Sequence, residues 1–223
     1  MDYRNECEPV GTYTILKQVT LLGDSIFDNA PYVEEGESVS DQLQALFQNS
    51  AKVHLLAVDG HVMADISDQL TKAESIYPLD HVFLTCGGND LLGYSGAGLL
   101  AVMANSIGDA LNSIYQVREN FRQNYQEMLD SVLAKCSILT VCTIYDKIPN
   151  LSNAEQVAVG IFNEVILREA KVRELNVLDL RTLCDQVEDF SPVSPIEPSK
   201  QGAAKIASAI YQQCMTYSAE NNI

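Results

Sequence analysis

Short apolar runs alternate along the chain with longer stretches whose apolar positions recur every three or four residues. The runs are QVTLLG (18–23), KVHLLAV (52–58), HVFLTC (81–86), SILTVCTI (137–144) and NVLDL (176–180). Their near-continuous Val, Leu and Ile content predicts strands covered on both faces, as in a parallel sheet. Between them, residues 38–49, opened by Ser38, and residues 62–74, 110–135 and 153–174 predict helices. A last helix starts at Ser199, with Ala203, Ile206, Ala207 and Ile210 on one face. The longest helix carries Leu111, Ile114, Tyr115, Phe121, Tyr125, Met128, Leu129 and Val132 as one amphipathic stripe. Strand–helix alternation throughout predicts a three-layer α/β/α sandwich with a parallel five-stranded sheet and right-handed crossovers. Residues 1–223 read as a single domain, a length that buries a substantial core.

Composition narrows the partners more than it names a function. The formal net charge is −16, and an acidic surface repels phosphate backbones, so nucleic acid is not an expected partner. Six cysteines occur without a CxxC or Cys/His cluster, which argues against a structural zinc site. Cys86, Cys136 and Cys142 sit in apolar runs and read as buried small hydrophobes. No run of about 18 apolar residues predicts a membrane span. The opening MDYRNECEPVGTYT has no basic segment followed by an apolar one, and with cysteines that read as buried hydrophobes this gives a cytoplasmic expectation, a secreted protein with its leader removed being the alternative.

In folds of this kind ligands sit beyond the carboxyl ends of the strands. The loops GDSIFDN, DGHVMAD, GGNDLLG and YDKIPN follow strand ends, and SPVSPIEPS precedes the last helix. An acyl-transfer site needs a nucleophile at an exposed turn and donors aimed at a developing oxyanion. Ser25 supplies the first. The N–H groups of Ser25 and Gly60 and the side-chain amide of Asn89 are candidates for the second. Gly60 admits backbone close to a substrate, and Gly87 and Gly88 permit the tight turn that aims Asn89 inward. Tyr94 and Tyr145 are candidates for contact with an apolar substrate, and residues 91–108 for lining or covering the pocket. The ordinary readings are a helix entry at GDS, with Ser or Asp as cap, and a plain turn at GGND.

GDSIFDN, then Gly60, then GGND, in that order, resemble the blocks of the SGNH (GDSL-type) hydrolase family of esterases and lipases. The resemblance runs from Val19 to about Ile210. It implies a flavodoxin-like architecture, a serine nucleophile at Ser25, an oxyanion hole at Ser25, Gly60 and Asn89, and no metal or organic cofactor. The family's last block reads DxxHP, with the histidine as base and the aspartate as its orienter. Here the stretch is SPIEPSKQGAAKIA, which puts Ser194 and Glu197 at those positions.

The chain has three histidines. His54 lies within a strand and His81 at the start of another, so both read as structural. His61 follows Gly60 directly. A carboxylate of ordinary pKa, about 4.3, is a weak base toward a hydroxyl, whereas an imidazole near 6.5 suits the task. The first expectation is therefore an exchanged triad: Ser25 attacks, His61 takes its proton and Glu197 orients the imidazole. A second reading has Glu197, its pKa raised by burial, act on Ser25 directly. Asp24 and Asp28 belong to the first block, and Asp24 and Asp90 read as turn-shaping residues. Asp185, Glu188 and Asp189 are alternative acids that spacing does not separate. The expected function is a serine esterase that cleaves small acyl or aryl esters through an acyl-enzyme, its partner a small-molecule ester. The alternative is a catalytically inactive ligand-binding protein of the same fold.

Overall fold

The computed structural model describes residues 18–73 and 79–220, with side chains as far as Tyr217. Cys7 and the stretch read for a leader lie outside them, as does residue 74. Five strands, β1 (Gln18–Leu22), β2 (Lys52–Leu55), β3 (Leu79–Leu84), β4 (Cys136–Cys142) and β5 (Asn176–Leu178), form one sheet in the order β2-β1-β3-β4-β5. Every pairing is parallel. The helices are α1 (Val39–Phe47), α2 (Ile66–Lys72), α3 (Gly88–Gly96), α4 (Ile107–Leu133), α5 (Asn153–Val172), α6 (Leu180–Leu183) and α7 (Lys200–Glu220).

The pleat sorts side chains into two cores. Val19 and Leu21 of β1 and Phe83 of β3 pack with Leu43, Ile206 and Ile210 from α1 and α7. Leu22 of β1 and Val82 and Leu84 of β3 turn the other way, onto Ile66, Phe121 and Phe162 from α2, α4 and α5. Successive residues of a strand thus feed opposite layers, and the continuous apolar runs follow from that two-sided burial. The edge strand β2 is the exception: Lys52 and Leu55 are exposed because no strand covers its outer side. Cys86 and Cys142 are buried as read, whereas Cys136, at the start of β4, is only partly covered.

Local chemistry sets the helix boundaries. Ser38 and Ser106 cap α1 and α4 through their side-chain oxygens, and Ser106 starts α4 three residues earlier than the stripe alone predicts. Ser152 and Glu155 form a capping box on α5. At α7 the Ser199 hydroxyl oxygen accepts from the N–H groups of Gln201 (3.1 Å) and Gly202 (3.2 Å). GGNDLLG, read as a loop, is instead the first turn of α3, entered through Gly87 in a left-handed conformation at φ 110°. β2 stops at Leu55, not Val58, because the chain bends across β1. The N–H groups of Leu56 and Ala57 share the Leu21 carbonyl (2.9 Å each), and Val58 N–H reaches the Gly23 carbonyl (3.1 Å).

The strand order places the site. From β1 the chain crosses to β2 on one side, then returns to β3 on the other, so a crevice opens beyond the carboxyl ends of β1 and β3. Gly23 ends β1 at φ 128°, and a Cβ there would lie 1.8 Å from the Thr85 carbonyl oxygen. Gly23→Ala combines a disfavoured backbone conformation with a backbone clash. We expect it to lower the unfolding free energy by roughly 3 kcal/mol or more, read from the urea midpoint. Gly93→Ala, within α3 and facing open space, should instead be neutral or add up to about 1 kcal/mol.

Candidate active site

Immediately after Gly23 the chain turns sharply. The Asp24 carbonyl accepts from Phe27 N–H (3.1 Å) and Asp28 N–H (3.2 Å), and the Asp24 carboxylate from Ile26 N–H (3.2 Å). This turn presents Ser25 beyond β1, 6% exposed. Asp24 faces Thr85, and burial pushes its pKa up to about 6 against the hydrogen bonds it accepts. Its bonds are those of a turn-shaping residue.

Glu197 comes from the loop before α7 and is 2% exposed. Its backbone is pinned from several directions. Ser191 N–H donates to the Glu197 carbonyl (2.8 Å), Glu197 N–H to the Ser194 carbonyl (3.0 Å), and Phe190 pairs with Pro198 across an antiparallel bridge. Asn29 donates to the Pro198 carbonyl (3.1 Å), and the Tyr145 hydroxyl donates to the Ile196 carbonyl. Ser194, at the family's aspartate position, serves here through its backbone. Burial pushes the Glu197 carboxyl up to about 7. A hydrogen bond from Ser25 pulls it the other way, and the neighbouring Asp59 and Asp24 push it further up. Its Oε2 is buried without a hydrogen-bond partner among the described residues.

Of the predicted site residues, Ser25, Asn89, Tyr145 and Glu197 line one cleft of about 490 Å³ of empty space, open solvent included. The rest of its wall is apolar, with Ile26, Leu91 and Ile144 prominent. Leu91, Leu92 and Val159 are shared with a second hollow of about 460 Å³, where Tyr94, Leu100 and Phe162 sit. Tyr94 therefore belongs to the extension, not to the cleft itself. Tyr145 offers its ring only, since its hydroxyl is committed to Ile196.

The second loop is tied to the first and third. Asp59 N–H donates to the Asp28 carboxylate (3.0 Å), and the Tyr32 hydroxyl to Asp59 (2.6 Å). Gly60 follows at φ 81°, in the left-handed region. Asn89, in the first turn of α3, gives one side-chain N–H to the His61 carbonyl (2.9 Å) and keeps the other. Asp90 accepts from Met63 N–H (3.2 Å), a turn-holding contact as read from the sequence. The half-buried His61 ring has its Nδ1 3.0 Å from Nε2 of Gln69; neither Ser25 nor Glu197 bonds to it.

Three comparisons bear on this arrangement. The chain matches the family model described as the GDSL-like lipase/acylhydrolase family over residues 21–205. That span is well over half of the chain and holds every loop described above. The chain belongs to the GDSL-like lipase/acylhydrolase family. Solved structures share the fold. An alpha/beta hydrolase enzyme from the metagenome of Lake Arreo, Spain, superposes with a TM-score of 0.67 at 17% identity, over 92% of this chain and 98% of that one. An acetyl xylan esterase gives 0.66 at 17% identity, over 88% and 98%. An extracellular lipase from Streptomyces rimosus gives 0.63 at 18% identity, over 89% and 99%. The comparison with curated proteins gave no match. No helix among the described residues is long and apolar enough to cross a membrane.

Within this GDSL-like hydrolase, the sequence analysis missed Gln69. It is fully buried on α2 and bonds to both backbone groups of Gly23 as well as facing His61. Its one signal is a glutamine on the helix face that also carries Met63, Ile66, Leu70 and Ala73. The remaining acids and histidines divide clearly. Asp189 accepts from Lys205 (2.6 Å), Gln201 (3.3 Å) and Gln186 N–H (3.0 Å), so it anchors α7. His81, inside β3, bonds to Thr140 (2.8 Å) and stacks on Phe83, and burial lowers its pKa to about 4. His54 lies on the edge strand, half-buried.

The raised Glu197 pKa has a signed consequence for stability. Between its ordinary value of 4.5 and about 7, the native state holds a proton that the unfolded chain has released. Stability therefore falls as pH rises through that window. Glu197→Gln removes the effect. The variant should match the wild type below about pH 4.5 and exceed it above pH 7 by on the order of 2 kcal/mol, measured by urea unfolding across pH.

Proposed function

We propose that this hydrolase is a serine esterase in which Glu197, not an imidazole, takes the proton of Ser25. The observation that carries the reading is that Ser25 and the buried Glu197 carboxylate line one cleft, where burial pushes the carboxyl up to about 7. A base whose pKa lies near the working pH is half ionised there and still binds a proton well. Ser25 Oγ attacks the ester carbonyl while its proton passes to Glu197. The tetrahedral oxyanion meets the free side-chain N–H of Asn89 and the N–H groups of Gly60 and Ser25. Collapse of the intermediate expels the alcohol, which takes the proton back from Glu197. Water, activated by the same carboxylate, then releases the acid. His61 as base with Glu197 as its orienter is the competing arrangement. It requires the ring to leave Gln69 for both partners.

Apolar walls and a net charge of −16 favour uncharged acyl or aryl esters over anionic ones. The second hollow adjoins the cleft, sharing Leu91, Leu92 and Val159 as walls, and this neighbourhood supports an acyl chain longer than acetyl.

Ser25→Ala should abolish hydrolysis of p-nitrophenyl esters and labelling by a fluorophosphonate; an unlabelled wild-type serine would return the chain to the inactive-binder reading. Glu197→Gln should lower kcat about 100- to 10,000-fold with little change in KM. Because the ionised carboxylate is the active form, kcat/KM should rise with pH around 7 and then level. That limb should persist in His61→Ala and shift little with temperature, as carboxyl ionisations do. A limb lost in His61→Ala would favour the exchanged triad.

Chain length supplies a separate test. From acetate to about hexanoate, kcat/KM should climb roughly threefold per methylene, the value of one buried CH₂. Val159→Phe, at the junction of the two hollows, should flatten that climb and leave acetate hydrolysis within about twofold.

A further inference from the structure

Gln69 makes three contacts with one amide. Its Oε1 accepts from the N–H of Gly23 (2.9 Å), its Nε2 donates to the Gly23 carbonyl (2.6 Å), and the same Nε2 lies 3.0 Å from Nδ1 of His61. Asn and Gln amides are ordinarily ambiguous, because oxygen and nitrogen look alike. Here Gly23 removes the ambiguity. Its N–H can only donate and its carbonyl can only accept, so reversing the amide would oppose two donors at one end and two acceptors at the other.

With Nε2 so placed, its two hydrogens have two destinations, the Gly23 carbonyl and His61 Nδ1. Nδ1 must therefore present a lone pair, and a neutral imidazole with a lone pair on Nδ1 carries its proton on Nε2. A histidine base of the usual triad has the opposite arrangement: Nδ1–H donates to an acid, and Nε2 receives the serine proton. We propose that Gln69 is a positioning residue that fixes His61 as the Nε2–H tautomer, so that the ring is a hydrogen-bond donor with no lone pair for the Ser25 proton. The same amide holds both backbone groups of the residue two before the nucleophile, and it ties α2 to the end of β1. The inference deepens the reading of Glu197 as base, but the tautomer itself rests on hydrogen-bond geometry alone.

The test is nitrogen NMR on full-length protein labelled with ¹⁵N-histidine at pH 8, where an ordinary imidazole is neutral. His61 is identified by the signals missing from His61→Ala. The expected long-range ¹H–¹⁵N pattern is a bare Nδ1 and a protonated Nε2. A protonated Nδ1, or an averaged pattern, would overturn the proposal. Gln69→Glu replaces the donor facing His61 with an acceptor and should move the ring proton to Nδ1. It should also reduce kcat for p-nitrophenyl esters by roughly tenfold or more while KM stays within about twofold. An unchanged tautomer in folded Gln69→Glu would refute control by Gln69. If that variant does not fold, the wild-type spectrum still decides the tautomer. Absence of any ester hydrolysis, with the bare Nδ1 observed, would sink the esterase reading and leave the tautomer standing.

Discussion

Glu197 is a carboxylate removed from water beside two other acids, and much of the molecule around it serves to keep it there. The groups that act on it electrostatically are Asp59 and Asp24, which oppose its ionisation, while the hydrogen bond from Ser25 favours it. Burying such a group is unfavourable unless it is neutral or well bonded. The fold imposes the position through backbone: the bridge between Phe190 and Pro198, the amide of Asn29 and the hydroxyl of Tyr145 all grip residues 196–198. At the other end of the loop, Asp189 and Lys205 fasten it to α7. These contacts fix the backbone from which the Glu197 side chain projects.

A second set of bonds makes the loops over the sheet behave as one platform. Gln69 joins the Ser25 turn to α2, Asp28 joins it to the Gly60 loop, Asn89 joins that loop to α3, and Asp90 joins α3 back to Met63. Donors fixed before a substrate arrives need no reorganisation when charge develops, which is the main economy of an oxyanion site. Asn89 contributes to that fixing: one of its side-chain N–H groups holds the His61 carbonyl.

The family resemblance read from the sequence puts Glu197 where the last block would carry a histidine. A carboxylate can replace an imidazole as base only where its environment lifts its pKa toward neutrality. The same environment that raises the Glu197 pKa makes its ionised state costly to the fold. His61 is bonded through Nδ1 to the Gln69 amide, a contact suited to holding a ring in place.

Much of the architecture was legible in the sequence. Val19, Leu21 and Leu22, or Val82, Phe83 and Leu84, read as strands covered on both faces because consecutive apolar residues fit no half-exposed strand. Ser25, Asn89 and Glu197, singled out from the family blocks, line one cleft, as strand-end loops converge in such a fold. Three things depended on tertiary contacts. The exposure of β2 follows from its place at the sheet edge, which the order of strands in the chain does not reveal. The entry of α3 at GGND follows from Gly87 pressed against Phe121, a contact between residues far apart in the chain. The partners of His61 and Glu197 were decided last. Adjacency in sequence brings His61 to the right loop, but a ring has two faces of approach and two nitrogens. Gln69, eight residues on and buried by the packing of α2, determines which nitrogen is engaged.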